Sequence, residues 1–407
     1  MLKNLSKDQK TMLVVLTLIN CLNYVDRQLI FPLFGHIKEE FQISDFKLGL
    51  LATWFLLIHS LVTIPLGIWA DRVSRRFVIG LSVLVWSLAS FASGLAQSFK
   101  QLLHIRAVVG IGEAGYAPAA TAMISDSFPN SLRGRAQSFF NVGMFVGGTL
   151  GTFAGAIIVT YFADWRWAFF IVSPIGLLLA FAAFRLKEVK IVHDEPKIHP
   201  MTVLRNPAFL WILFSGTLIT FAGGAYMSWG IEFFRRSKEF GLSLQAASAT
   251  LGLIVALAGV VGVYLGGYYA DKMHGKRPDG RSLVLTGFLF FSAPLIFLSL
   301  FVLQYKVIFF ILFFLGIMCF CAYHGPITAI IHDITPKQYR ASAYAVYVFV
   351  IHLLGDTLSP AIIGRASDEW GLRLALQGAT VILFLGAISF YPVARLIKTG
   401  KVPVHLD

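Results

Sequence analysis

The sequence predicts an all-α membrane protein of twelve transmembrane helices in two pseudo-symmetric six-helix bundles. Three observations predict it: the composition, the spacing of long apolar runs, and a repeat at half the chain length. Of 407 residues, 57% are hydrophobic and only 14% charged, and the mean hydropathy of +0.73 is beyond what a water-facing surface tolerates. A bilayer core takes about 20 apolar residues per helix, which leaves room for a dozen spans and excludes a large soluble domain. A β-barrel is excluded because barrel strands alternate apolar and polar residues over about 10 positions, whereas these stretches are apolar throughout.

Polar punctuation places the spans near residues 12–34, 46–69, 77–97, 101–125, 136–161 and 167–186, then 207–234, 244–270, 282–303, 306–332, 340–364 and 371–396. Backbone polar groups inside hydrocarbon must be satisfied within their own segment, so each span is helical. The first run follows a short basic stretch, as a signal peptide does. It is longer than a signal peptide's apolar region and lacks a small-residue cleavage site, so it reads as the first helix. Cys21, Cys319 and Cys321 lie within spans and show neither metal nor disulfide spacing, which makes them packing residues.

Orientation follows from the basic residues. With both termini in the cytoplasm, 22 of the 34 Lys and Arg fall on the cytoplasmic side and 10 outside, leaving Arg27 and Arg106 within spans. The net charge of +13 therefore reads as membrane topology and not as a nucleic-acid footprint. A compact chain with short loops points to a bacterial inner (plasma) membrane.

The chain repeats itself. Gly67-x-x-x-Asp71-Arg72 after the second span returns as Gly267-x-x-x-Asp271-Lys272 after the eighth, and Asp126-x-x-Pro129-x-x-x-Arg133 returns as Asp333-x-x-Pro336-x-x-x-Arg340. Both pairs fall on cytoplasmic turns at nearly the same offset, so the chain divides into a bundle over residues 1–186, a cytoplasmic linker over 187–206 and a second bundle over 207–407. The linker is charged and contains Pro196 and Pro200.

Charge inside a span is costly and marks a cavity or a partner. Asp26 and Arg27 lie in the first span, Arg106 and Glu113 in the fourth. A spacing of seven puts the last two on one helical face, two turns apart. If these helices line a cavity, the arginines can meet an anionic group while Asp26 or Glu113 takes and releases a proton. The alternative is a set of satisfied ion pairs that only hold helices together. In the second half, His352 and Asp356 share a face, His324 lies beside Tyr323 and Pro326, and Glu232 sits near the outer end of the seventh span. His59 reads as a helix contact. Trp54, Phe55, Trp86, Trp211, Phe221, Tyr226 and Trp229 are candidates for an apolar cavity wall.

Gly143, Gly147, Gly151 and Gly155 form a small-residue stripe that permits close helix packing, read in preference as a rocking interface between the halves over static packing. Gly110-x-Gly112-x-x-Gly115 spells a dinucleotide fingerprint, but that motif needs a strand before it and a βαβ setting. Inside a span it is small-residue packing.

Several stretches resemble a known family. GIWADRVSRR at 67–76 resembles the signature loop between helices 2 and 3 of the major facilitator superfamily, and GGYYADKMHGKR at 266–277 is a looser copy with an insertion. NYVDRQ at 23–28 and RAVVGIGEAGYAP at 106–118 resemble the Spinster-like branch, although organic-anion transporters of the superfamily also carry an Asn-Tyr-x-Asp-Arg stretch. The resemblance implies secondary transport by alternating access, with Asp26 and Glu113 coupling protons and Tyr24, Arg27 and Arg106 facing substrate; His352 and Asp356, four residues apart, read as a proton relay, a substrate contact or equally a helix-stabilising pair, and His324 as a substrate contact on the same footing. It implies gating by Gly67, Asp71, Arg72, Arg75, Arg76, Arg133, Gly267, Asp271 and Arg340. The implied substrate is an anionic amphiphile such as a lysophospholipid or sphingolipid-like molecule, the alternative a soluble organic anion such as a sugar acid.

A membrane-embedded enzyme would need a nucleophile–base or metal constellation near the interface, and none is found. A channel has no use for paired signature loops. Without a P-loop the energy comes from ion or substrate gradients. No cofactor is required, and a monomer suffices.

Overall fold

The structure, a computed structural model, describes residues 5–188, 200–336 and 339–402. Twelve helices are long and apolar enough to cross a membrane: α1 Lys7–Phe41, α2 Asp45–Ala70, α3 Arg75–Ser93, α4 Phe99–Ser127, α5 Arg135–Phe162, α6 Arg166–Phe184, α7 Pro207–Arg236, α8 Leu244–His274, α9 Gly280–Ser299, α10 Lys306–Asp333, α11 Ser342–Trp370 and α12 Leu372–Lys398. Each predicted span is present, and no strand occurs among the described residues. The first span is longer than its apolar run because its polar ends are held locally. Ser6 and Gln9 form a reciprocal capping box at the start, and Lys38 in the last turn pairs with Asp45 at 2.6 Å.

Three spans are interrupted, each by a proline that removes a backbone donor and clashes with the carbonyl four residues earlier. Pro118 lies behind the break at Gly115 in α4, and Pro326 behind the break at 322–325 in α10. In α11, Pro360 follows a π-helical turn over His352–Asp356. The Asp356 carbonyl, freed from its usual donor, accepts the Ser359 hydroxyl at 3.3 Å.

The chain separates into two compact units, residues 1–194 with 243–249, and 195–242 with 250–407. Of the predicted linker, residues 189–199 lie outside the described residues. Its first residues belong to the fold of unit 1: Lys187 reaches Asp8 at 2.9 Å, and Glu188 accepts bonds from Ser74 Oγ at 2.6 Å and the Arg75 amide at 2.8 Å. The carboxylate thereby caps the positive N-terminus of α3.

Glycines set the closest packing. A Cβ at Gly143, Gly147, Gly151 or Gly155 would collide with the carbonyl of Thr17, Cys21, Val25 or Leu29 respectively, so the whole α5 stripe is occupied by α1 within unit 1. This corrects its reading as an interface between halves. The fingerprint glycines wedge α4 between two neighbours: a Cβ at Gly110 would sit 2.7 Å from the Phe55 carbonyl of α2, and one at Gly112 2.6 Å from the Trp86 amide of α3. In unit 2, Gly262 and Gly266 of α8 lie against the Met318 and Ala322 carbonyls.

Around the gating candidates Gly67 and Gly267 there is room for a side chain. A Cβ at Gly67 would make an ordinary 3.8 Å contact with Pro118, and one at Gly267 would meet nothing within 4 Å. Gly147→Leu is therefore expected to prevent unit 1 from assembling, seen as aggregation in size-exclusion chromatography, whereas Gly267→Ala should elute as the native protein does. Normal elution of Gly147→Leu would refute this account of the stripe.

Candidate functional site

The four charges of α1 and α4 meet inside unit 1, paired crosswise between the helices. Arg27 Nε donates to Glu113 Oε2 at 2.7 Å, and Arg106 Nη1 donates to Asp26 Oδ2 at 3.1 Å. Adjacent residues on a helix point about 100° apart, so Asp26 and Arg27 diverge and each takes a partner from α4. Residues 106 and 113, two turns apart, supply one partner at each level.

The two pairs differ in what surrounds them. Asp26 and Arg106 are both 2% exposed, and the Ser90 hydroxyl of α3 donates to the second Asp26 oxygen. Glu113 is fully buried, whereas the Arg27 side chain is 21% exposed. Arg27 Nη2 also donates to His59 Nε2 at 2.7 Å, while Glu113 Oε1 makes no hydrogen bond among the described residues. Phe55 lies between the two cations, its ring centroid 5.0 Å from the Arg106 guanidinium carbon and 5.5 Å from that of Arg27. Tyr24 offers Arg27 a second ring at 5.5 Å. Aromatic faces stabilise cations that have left water.

Arg106, expected to face substrate, is instead enclosed by Asp26 and Phe55, because α2, α3 and α4 close around it. His59, read as a helix contact, is a partner of Arg27, and Ser90 was not singled out at all. Tyr116, at the break of α4, donates to Asn20 of α1, and Asn20 Nδ2 donates to the Phe140 carbonyl of α5 at 2.8 Å, which fixes the α1–α4 register just below the charges. Of the candidate wall aromatics, Phe55 belongs to this site. Trp86 and Trp229 are core residues, Trp54 and Trp211 are exposed, and Phe221 and Tyr226 are buried in unit 2.

In unit 2, His352 Nδ1 and Asp356 Oδ2 are 2.8 Å apart across the π turn. The His324 ring is exposed and lies edge-on to Phe320 and Tyr323, at 6.1 and 5.5 Å between centroids. Tyr323 and Tyr347 bond through their hydroxyls. Glu232 binds Arg235 at 2.7 Å and Arg236 at 2.8 Å, an ion cluster at the end of α7.

The repeated turns make equivalent clasps. Arg75 pairs with Asp126 in unit 1. In unit 2, Arg281 Nη1 donates to both oxygens of Asp333 at 2.8 Å, and its Nε donates to Asp271 at 3.0 Å. Asp271 thus binds Arg281 and not its neighbour Lys272, whose ammonium lies 5.8 Å from the Tyr268 ring. Arg281 was not among the gating candidates, because the repeat offset rises from 200 at Gly67/Gly267 to 206 at Arg75/Arg281. Arg340 Nε donates to the His332 carbonyl at 3.2 Å, and Arg76 Nη1 to the Leu186 carbonyl at 3.3 Å. Arg72 is exposed at the end of its helix. The side chains of Asp71 and Arg133 lie outside the described residues.

The profile of the Major Facilitator Superfamily matches residues 16–360. The chain is 30% identical to Protein spinster homolog 1 of Xenopus tropicalis, over 88% of this chain and 73% of that one, and 29% identical to the Homo sapiens protein of the same name, over 95% and 81%. Among solved structures, a bacterial homolog to the human lysosomal transporter Spinster, in an inward-facing and occupied conformation, superposes with a TM-score of 0.87 at 23% identity, over 98% of this chain and 99% of that one.

Removing one member of a buried ion pair leaves an uncompensated charge, which costs about 3–5 kcal/mol. Asp26→Ala is expected to lower the thermal unfolding midpoint accordingly, and Asp26→Ala combined with Arg106→Met to recover much of the loss. A midpoint equal to the native one in the single variant would show that the pair does not hold α4 to α1.

Proposed function

This chain belongs to the major facilitator superfamily, as a transporter of Spinster type, and we propose that it carries an anionic amphiphile, such as a lysophospholipid or sphingolipid-like molecule, by proton-coupled alternating access. The observation that carries the reading is the Arg27–Glu113 pair, in which the cation is partly exposed and the anion fully buried.

Arg27 presents five N–H donors in a planar fork suited to carboxylate or phosphate. Its Nη1 edge is the group we assign to the substrate anion. An anion bound there competes with Glu113 for the guanidinium, and a buried carboxylate whose counter-charge is drawn away is costly unless it binds a proton. Anion binding and proton binding are then linked through one side chain, with His59 and Tyr24 holding Arg27 in position. Asp26, with both oxygens engaged, we assign to holding the helices, together with Arg106. His324, His352 and Asp356 form the second polar group we assign to substrate.

The basic residues support a multi-pass protein of the inner (plasma) membrane with both termini cytoplasmic. In that orientation the Arg75–Asp126 and Arg281–Asp333–Asp271 clasps lie at the cytoplasmic turns, where we assign them to gating along with Arg72, Arg76 and Arg340. The two bundles over 1–186 and 207–407 are the bodies whose rocking we propose.

Uptake of labelled lysophospholipid into proteoliposomes tests the reading. An inward proton gradient should stimulate the native protein, Glu113→Gln should lose the stimulation, and Arg27→Gln should lose uptake. Native uptake indifferent to the gradient, with Glu113→Gln fully active, would sink proton coupling. Uptake of a sugar acid but of no lysophospholipid would transfer the reading to soluble organic anions. In the same assay Arg75→Gln and Arg281→Gln should each depress transport in protein that elutes normally, and the exposed Lys276→Gln should not. Full activity of both arginine variants would remove the clasps from gating.

A further inference from the structure

Asn20, Asn23 and Arg27 are spaced by three and four residues, so they form one stripe along α1. Both ends of that stripe are bonded to α4, Arg27 to Glu113 at 2.7 Å and Asn20 to the Tyr116 hydroxyl. Asn23, midway, therefore faces α4 between Glu113 and Tyr116. Its side chain is buried, the residue 1% exposed, and its Nδ2 has no hydrogen-bond partner among the described residues.

Glu113 supplies the complement. Its Oε2 is taken by Arg27, and its Oε1, in a side chain with no exposure, accepts nothing among the described residues. An amide donor on α1 and a carboxylate oxygen on α4 thus confront each other away from solvent, and no bond joins them directly. Leaving either group unbonded costs its desolvation, most of all for a charged acceptor. Polar groups that face each other beyond about 3.5 Å are commonly joined through water.

We propose that one internal water binds between Asn23 Nδ2 and Glu113 Oε1, accepting from the amide and donating to the carboxylate. The occupant follows from the two groups. Arg27 lies against the same carboxylate and repels a cation, the carboxylate repels an anion, and an apolar guest leaves both groups unbonded. A buried water needs two to four polar partners, and here one side offers it a donor and the other an acceptor. Bound there, it gives Glu113 a donor that does not depend on Arg27, so the carboxylate keeps a hydrogen bond when the guanidinium turns to another anion. The site lies wholly within unit 1 and stands whatever the chain carries.

X-ray radiolytic labelling of the full chain in nanodiscs, read by peptide mass spectrometry, tests the proposal. Radiolysis of a bound water releases hydroxyl radical in place, which oxidises adjacent aromatic rings that bulk water does not reach. Trp86 and Tyr116 flank the site, both 1% exposed and 5.4 Å apart between centroids. Trp86 lies against Gly112, whose Cβ would be 2.6 Å from its amide, and Tyr116 is three residues from Glu113. Both are expected to be oxidised above Trp229, which is buried in unit 2 with its Nε1 bonded to the Pro360 carbonyl at 3.0 Å. The excess should be lost in Asn23→Leu, which keeps the bulk without a polar group, and retained in Asn23→Ser. Thermal unfolding gives an independent readout. In a dry site Asn23→Leu removes an unbonded donor and raises the midpoint, whereas in a hydrated one it strips a partner from Glu113 and lowers it. Oxidation of Trp86 and Tyr116 no greater than that of Trp229 would overturn the proposal, as would an excess unchanged in Asn23→Leu or a raised midpoint in that variant. If Asn23→Leu does not elute as folded protein, Asn23→Met takes its place, and the native comparison with Trp229 stands regardless.

Discussion

A charge in a membrane span has no water to solvate it and must find its counter-charge in the protein. In unit 1 that constraint governs the approach of α1 and α4. Two crossed pairs must reach 2.7 and 3.1 Å, which demands helices in near contact and in fixed rotation. The packing supplies both. The stripe of Gly143 to Gly155 lets α5 seat α1 against its backbone, Gly110 and Gly112 let α2 and α3 press on α4, and the Tyr116–Asn20 bond locks the register. Small residues matter here because apolar lipid gives helices no hydrophobic reason to associate, leaving close packing and hydrogen bonds to do so.

The repeat preserves this skeleton more faithfully than its chemistry. Prolines 118 and 326 break α4 and α10 beside a tyrosine in each unit, and both units close the repeated turns with an arginine at the start of one helix bound to an aspartate at the end of another. Such clasps join residues far apart in sequence at surfaces that must open and re-form if the halves move. Their ion pairs are largely shielded from solvent, with the Asp126 side chain 5% and the Asp333 side chain 15% exposed, so each aspartate depends on its arginine.

The spans and their order were legible in the sequence, because hydrocarbon imposes a length and a composition that few other environments share. The buried charges were legible one at a time for the same reason. Their pairing was not, since it depends on which neighbouring helix each face meets. Arg106 and Glu113 share a face yet bind different partners on α1, and His59, legible only as a helix contact, accepts from Arg27. The α5 glycines announced a close approach, read as one between the halves, and the partner is α1 of the same unit. Arg281 was hidden by the longer loop after α8, which displaced the counterpart of Arg75 by six positions relative to Gly267.

Unit 2 shows what the charges of unit 1 are not for. At the offset of 207 that relates Asp126 to Asp333, Arg106 and Glu113 correspond to Phe313 and Phe320, and at the offset of 196 that relates Asn20 to Gly216, each against the matching pair of rings, Asp26 and Arg27 correspond to Ala222 and Gly223, yet the helices break at equivalent positions and the repeated turns clasp in the same way. Replacing a buried ion pair by hydrophobic residues of similar size is often neutral or stabilising, and here the same chain carries both versions of one scaffold. The fold therefore does not require two acids and two bases in hydrocarbon, and their desolvation is a cost that unit 2 avoids. Each pair keeps one buried polar atom without a hydrogen bond among the described residues, Arg106 Nε and Glu113 Oε1, but the Asp26–Arg106 pair is enclosed, both members 2% exposed, while the Arg27 side chain is 21% exposed. A pair that exists only to hold helices has no reason to be left open on one side, and that asymmetry is the physical ground for placing the exchangeable chemistry at Arg27 and Glu113.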